Sequence, residues 1–264
     1  MSRRLRAIAH DTVAIAERGS YSTGTGEVPV DITRAVAGTR LHLPDETLNL
    51  PEQGGFPRVD VTNESTLEAA ARLGGDLAAL VFASARNPGG GFLNGAQAQE
   101  ESVARASALY PCLRAAGDFY AHHRAHEDLI YSDRVIYSPG VPVFRDDKGT
   151  LLAEPYEVSF LTAAAPNRSA ILRNQPERAD GIPAALLRRA VRVLQVAAAH
   201  GHRRLVLGAW GCGVFGNEPA LVAETFMTAL QDNRYFDHVV FAVLDRARDT
   251  PTLAAFSTAV RQVK

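Results

Sequence analysis

Between residues 87 and 102 the chain reads NPGGGFLNGAQAQEES, and this stretch gathers the residue types best suited to chemistry. After Gly89, Gly90 and Gly91, seven residues separate Gly91 from Gln99, and two adjacent carboxylates, Glu100 and Glu101, follow it. Glycine triplets weaken any regular element and neighbouring carboxylates repel, so stability alone accounts poorly for the combination. A glycine loop lets backbone N–H groups approach a phosphate or a ribose. Adjacent helical residues point about 100° apart, so the two carboxylates must do different jobs. One could protonate the leaving oxygen of a glycosidic bond and later take a proton from water. A second carboxylate is dispensable as a nucleophile when a substrate diphosphate lies near the charge developing at the anomeric carbon. The start of a helix favours the ionised carboxylate, whereas burial under a ligand and the Glu100 charge act the other way; a raised pKa is therefore expected for Glu101 in the complex. Acidic residues also complement a helix N-terminus without any catalytic duty, but that leaves the glycines upstream unexplained.

A second glycine loop, GAWGCGVFGNEP at 208–219, places Gly211, Gly213 and Gly216 in the spacing G-x-G-x-x-G between a predicted strand and a predicted helix. That is the dinucleotide fingerprint, yet only 48 residues follow Gly216, room for about one more strand–helix pair. Asp245, which ends the next predicted strand, also lies past the roughly 20-residue offset of a ribose-binding acid. The loop is therefore read as a backbone wrap for a diphosphate.

The triplet, its spacer and Gln99-Glu100-Glu101 together resemble the signature of poly(ADP-ribose) glycohydrolases, and FASARNPGGGFLNGAQAQEESVARASALYPCL resembles the bacterial type of that family. The resemblance implies a macrodomain-like fold and hydrolysis of the ribose–ribose bond of poly(ADP-ribose), mainly from chain ends, to release ADP-ribose. It makes Glu101 the acid/base, sets Glu100 on ribose hydroxyls near the scissile bond, and gives the terminal ribose to Asn87. Gly89, Gly90, Gly91 and Gln99 complete the first loop. Gly211, Gly213, Val214, Phe215 and Gly216 form the second phosphate loop, with Phe215 packed on the terminal ribose. The adenine is assigned to Thr62 and Asn63 of VTNEST, although Asn63 reads equally well as a helix N-cap. No cofactor or metal is implied. The partners are poly(ADP-ribose), ADP-ribose and poly(ADP-ribosyl)ated proteins, and the chain is expected to be a monomer. A macrodomain that binds ADP-ribose without cleaving it, or a hydrolase of another ADP-ribosyl linkage, remains an alternative. The Gln99-Glu100-Glu101 run separates the first of these, because a reader needs phosphate loops but no acid.

The elements that must position these residues are legible in outline. Residues 4–18 form an amphipathic helix ending near Gly19. Residues 21–57 are irregular apart from a short strand at 28–32 and a helical turn at 33–37. From Arg58 a strand, a helix and a buried strand make a βαβ unit, and a long helix from Glu100 to about His126 is expected to kink or split at Pro111. Two strands with a turn, then another strand, follow His126. Helix 182–200, strand 203–210, helix 218–231, strand 238–245 and helix 251–263 complete the chain. This alternation predicts one domain, a three-layer α/β/α sandwich with a mixed central sheet, in which residues 1–57 are an N-terminal helical extension and 58–264 the core.

Composition supports an ordinary globular protein: 264 residues, 46% hydrophobic, 22% charged, net charge −1. Such a balance advertises neither duplex nucleic acid nor membrane as a partner. Cys112 and Cys212 lack metal-ligand spacing and suggest a reduced, cytoplasmic protein, and the N-terminus does not read as a signal peptide. His122, His123 and His126 are read as complementing a helix C-terminus rather than holding a metal. Cys212 is read as a small residue in a tight loop, and Arg188-Arg189 and Arg203-Arg204 as solvated or snorkelling.

Overall fold

Along the central strands, alternate side chains enter two separate apolar clusters. Ala78, Leu80, Leu205 and Leu207 pack on one side, while Ala79, Val81 and Val206 pack on the other. The sheet carrying them is therefore buried on both faces, which is why these segments are continuously apolar. The structure, a computed structural model, describes residues 2–24 and 26–263. Its elements begin with α1 (Arg3–Arg18), β1 (Ser20–Thr23), β2 (Gly26–Pro29), α2 (Thr33–Gly38) and β3 (Arg40–His42). They continue through β4 (Arg58–Thr62), α3 (Thr66–Leu73), β5 (Ala78–Phe82), α4 (Gln99–Ala106), α5 (Leu109–Ala115) and α6 (Gly117–Ala125). Last come β6 (Val135–Arg145), β7 (Leu151–Ala163), α7 (Arg168–Asn174), α8 (Ile182–Ala199), β8 (Arg204–Leu207), α9 (Pro219–Asp232), β9 (His238–Ala242) and α10 (Pro251–Val263).

The main sheet has seven strands in the order β3-β6-β7-β5-β8-β9-β4. From β7 to β4 the neighbours are parallel, whereas β6 runs antiparallel to both β7 and β3. Helices α8, α9 and α10 cover one face and α1 to α6 the other, which gives the three layers and mixed sheet that the alternation predicts. The β4-α3-β5 unit exists, but β8 and β9 lie between its two strands.

Four local expectations need correction. Arg40–His42, expected in an irregular extension, is the edge strand of the main sheet, paired to Val135–Tyr137. The long helix after Glu100 is three helices, and its first break falls at Ser107 rather than Pro111. Pro111 sits in the first turn of α5, where its missing N–H is harmless, and its ring excludes a helical carbonyl four residues earlier, at Ser107. The strands after His126 are one long hairpin, β6 and β7, bulged between Ser138 and Val141. The arginine pairs are not all solvated: Arg189 is fully buried, bonded to Asp133 and to the carbonyls of Ala164 and Ile130, and Arg204 caps the carbonyls of Leu73, Gly74 and Asp76.

Helix α1 braces the catalytic side. Ser2 caps it, Gly19 ends it in a left-handed turn, and Ser2 N–H donates to Gly95 O at 3.0 Å. Gly95 must be glycine, because its φ is +78° and a Cβ there would strike the Ser2 carbonyl. Farther along, Thr12 Oγ1 donates to Arg105 O of α4 at 2.6 Å and accepts from Arg145 Nε.

Candidate active site

The carboxyl ends of the parallel strands open into one cleft of about 790 Å³, a volume ordinary for a small-molecule site. Its walls are the segments following β4 (Glu64 to Leu67), β5 (Ala83, Ser84), β8 (Ala209 to Phe215) and β9 (Val243 to Arg246), with the start of α4 at its centre. This is where an open α/β sheet places its ligand.

Helix α4 begins with Gln99, Glu100 and Glu101, and each has a separate task. Gln99 Nε2 donates to Leu80 O at 2.8 Å and to Thr66 Oγ1 at 3.0 Å, while its oxygen accepts the Phe82 N–H at 2.9 Å. Its carboxamide stitches the helix start to β5 and α3, so its part in the signature is to position the helix rather than to bind a ligand. Glu100 is only 3% exposed; its Oε2 accepts the Ser84 N–H at 2.6 Å, and its Oε1 is buried without a protein partner. Burial pushes the Glu100 carboxyl well above the usual glutamate range and the Glu101 charge adds to this, against the amides of Ser84 and Gly89. Glu101 Oε1 accepts the Gly91 N–H at 3.0 Å, and its other oxygen has no partner among the described residues.

The glycine triplet is explained by these carboxylates. Gly89 and Gly90 have φ of +69° and +58°, and a Cβ on Gly90 would run into Glu101 Oε1 and lie 3.1 Å from Glu100 Oε2. Two amides of the triplet are engaged, Gly90 with Asn87 O and Gly91 with Glu101 Oε1. The expectation that this loop offers free N–H groups to a phosphate is therefore corrected for Gly90 and Gly91, and the turn seats the two carboxyl groups. Asn87 lies outside the cleft wall, exposed, with its backbone in the turn and its carboxamide without a partner among the described residues.

The second loop does present free amides. Among the described residues, the N–H groups of Gly213, Val214 and Phe215 have no protein acceptor, and all three residues line the cleft. Three successive amides of this kind make a nest for an anion. Val214 is 82% exposed, so its backbone rather than its side chain is the recognisable feature. The loop is held from behind by Trp210 Nε1 on Ala163 O and by Asn217 Nδ2 on Pro166 O. Gly211 and Gly216 serve that framework: both have positive φ, and a Cβ would collide with Asn217 at the first and with Ser169 at the second. Gly213 has open space around it. Cys212 is a half-buried thiol that burial pushes up to about 12, which makes it inert as a nucleophile.

The adenine assignment is the part that the geometry overturns. Neither Thr62 nor Asn63 lines the cleft. Asn63 Nδ2 donates to Asp245 O and its oxygen accepts the Asp245 N–H, so it clamps the loop after β9. The N-cap of α3 is Ser65, in a capping box with Glu68, and not Asn63. The wall at this end is made instead by Glu64 to Leu67 and by Leu244, which is 47% exposed, and Arg246. Ser84, Asn217 and Leu244 escaped sequence reasoning, since single polar or apolar residues at strand ends carry no periodic signal. His123 is buried between Phe119 O and Ser132 with its ring held down to about 4, so it is a neutral core residue and no counter-charge to a helix end. Among the described residues no group of three histidine, cysteine or carboxylate side chains could hold a metal.

These features can be set beside known proteins. A family model described as the catalytic domain of microbial-type poly(ADP-ribose) glycohydrolase (PARG) matches residues 9–146. The structure of poly(ADP-ribose) glycohydrolase from Thermomonospora curvata is 52% identical with a TM-score of 0.91, covering 98% of this chain and 100% of that one. The same enzyme bound to the inhibitor ADP-HPD gives 52% identity and a TM-score of 0.87 over 97% of this chain and 99% of that one. The Deinococcus radiodurans glycohydrolase in complex with ADP-ribose is 44% identical, with a TM-score of 0.82 over 88% of this chain and 98% of that one. No curated protein matches the chain. With two carboxyl groups seated on a glycine turn, a nest of free amides opposite them, and these relatives along nearly its whole length, the chain belongs to the microbial-type poly(ADP-ribose) glycohydrolase family.

Proposed function

We propose that the protein hydrolyses the ribose–ribose O-glycosidic bonds of poly(ADP-ribose), working from chain ends to release ADP-ribose. The observation that carries this reading is the pair of carboxyl groups at the start of α4. Glu101 is steadied through one oxygen by the Gly91 amide and keeps the other for the substrate, and Glu100 keeps a buried oxygen free beside it. Glu101 gives its proton to the bridging oxygen, which leaves as the 2′-hydroxyl of the next unit while the bond to the anomeric carbon breaks. The oxocarbenium charge is met by the substrate's own diphosphate, held in the nest of Gly213, Val214 and Phe215. Water then attacks the anomeric carbon and returns its proton to Glu101. Glu100 hydrogen-bonds the ribose hydroxyls, Asn87 holds the terminal ribose at the rim, and Phe215 packs against it. Adenine lies at the far end, between Leu67 and Leu244.

Poly(ADP-ribosyl)ated proteins are the natural carriers of such chains, and we assign the enzyme to the cytoplasm as a monomer, in keeping with its two free cysteines. The test is a time course on purified poly(ADP-ribose) resolved by product length. Free ADP-ribose from the first time point is expected. Early oligomers would contradict cutting from the ends, and tight binding without release would favour a reader.

A further inference from the structure

Beside the segment that leads from β5 into the glycine triplet lies a basic and aromatic surface that the reaction so far leaves unused. His122 and His126, one turn apart at the end of α6, stack with ring centroids 4.0 Å apart and planes inclined by 28°, and His126 is exposed. Arg124 on the same helix is exposed and donates from Nη1 to Arg86 O at 2.8 Å, which ties α6 to the loop leading into the glycine triplet. Arg134 acts electrostatically on His122. Among the described residues Arg86, Arg124 and Arg134 form no ion pair; the nearby Asp128 is engaged by Arg178, and Asp133 by Arg188 and Arg189.

This surface is continuous with the cleft by two routes. Arg86 is two residues from Ser84, a wall residue whose amide holds Glu100 and whose hydroxyl accepts the Arg86 N–H. Tyr131 packs between His123 and Phe215, with centroid separations of 5.6 Å and 6.2 Å, and Phe215 lines the cleft. Tyr131 keeps a left-handed backbone, φ +62°, a conformation a tyrosine seldom adopts and that its surroundings must impose.

The chemistry of the polymer indicates what must lie there. When the terminal unit occupies the cleft, the alcohol that leaves is the 2′-hydroxyl of the next unit's adenosine. An adenine is therefore held close to the scissile bond, and a doubly charged diphosphate follows it. We propose that Arg86, Arg124 and Arg134, with the His122–His126 stack, form a subsite for this second ADP-ribose unit: the imidazole pair offers a π-face to its adenine and the arginines meet its diphosphate. The proposal rests on the reading of the cleft as the seat of the terminal ADP-ribose unit.

The subsite is tested by binding in the Glu101→Gln protein, which keeps the polymer intact. Titrations at about 50 mM salt compare ADP-ribose with a short ADP-ribose oligomer, because phosphate contacts are strongest at low salt. The oligomer is expected to bind at least tenfold more tightly. Arg124→Ala/Arg134→Ala should remove most of that advantage, leave the ADP-ribose affinity unchanged, and flatten the dependence of log affinity on log salt by about 0.7 per arginine. His126→Ala should weaken the oligomer alone. Arg124→Lys/Arg134→Lys retains the charge and should retain most of the gain, which separates electrostatics from misfolding. Equal affinity for the two ligands, or equal loss for both in the alanine variant, would overturn the subsite. Failure to bind either ligand would instead remove the functional reading on which it rests.

Discussion

The two carboxyl groups at the start of α4 differ in environment more than in position. Glu100 is buried with its pKa raised, so its neutral form favours folding, and the penalty for ionising it grows as pH rises above the ordinary glutamate value of 4.5. Glu100→Gln should accordingly match the wild type in Tm at low pH and exceed it increasingly as pH rises; a constant offset at all pH values would contradict this. Gly90 makes a sharper test of the loop. A Cβ there meets both carboxylates, and φ of +58° disfavours any side chain. Gly90→Ala should therefore lower kcat by about 10²-fold, the typical effect of misplacing a reacting group by about 1 Å. ADP-ribose affinity should fall only a few-fold, since the amide nest is elsewhere. An unaltered kcat would show that the triplet does not seat the acid. The residue types and spacing of this site were legible in the sequence, but the direction of the glycine amides was not. Only the left-handed turns at Gly89 and Gly90 aim the Gly90 and Gly91 amides at Asn87 O and Glu101 rather than outward.

At the scale of elements, the placement of α4 rests on Gln99. Gln99→Leu would leave the Leu80 carbonyl and the Phe82 amide unpaired beneath the cleft, at a cost of about 1–3 kcal/mol for each buried group. A lowered Tm with a fall in kcat is expected, and a raised KM with unchanged Tm would show instead that Gln99 contacts the substrate. Strands β5, β8 and β9 were readable because burial on both faces makes them continuous apolar runs. β3 was not, because three residues between two loops carry no period, and their pairing to β6 is decided by tertiary contact. The Asn63 assignment failed for a related reason. Its polar side chain at a strand end fits a cap, a ligand contact or a clamp on Asp245, and only the arrangement of β4 beside β9 selects the last.

For the whole molecule, the edge of the sheet away from the α4 carboxylates carries a titratable pair, the buried His42 and the exposed His200. His42 Nε2 and His200 Nε2 are 2.9 Å apart, and His200 stacks on Tyr137 at 3.6 Å. Partial desolvation at their contact holds both rings below the ordinary histidine value of 6.5, His200 at about 4. Histidines with lowered folded pKa values contribute stability above pH 6.5 that is lost as pH falls towards 4. Tm should decline across that window, and His200→Phe, which keeps the stack, should flatten the decline; an equally steep decline in the variant would place the sensitivity elsewhere. The central claim, that this fold delivers one acid to a glycosidic bond, is tested most directly by ADP-ribose release from poly(ADP-ribose) by the wild type and Glu101→Gln side by side, with ADP-ribose affinity measured on both. The glutamine can still accept the Gly91 N–H but cannot supply the proton. Release slowed by about 10² to 10⁴ with affinity retained is the predicted result. A Glu101→Gln protein that releases ADP-ribose at the wild-type rate would contradict the account.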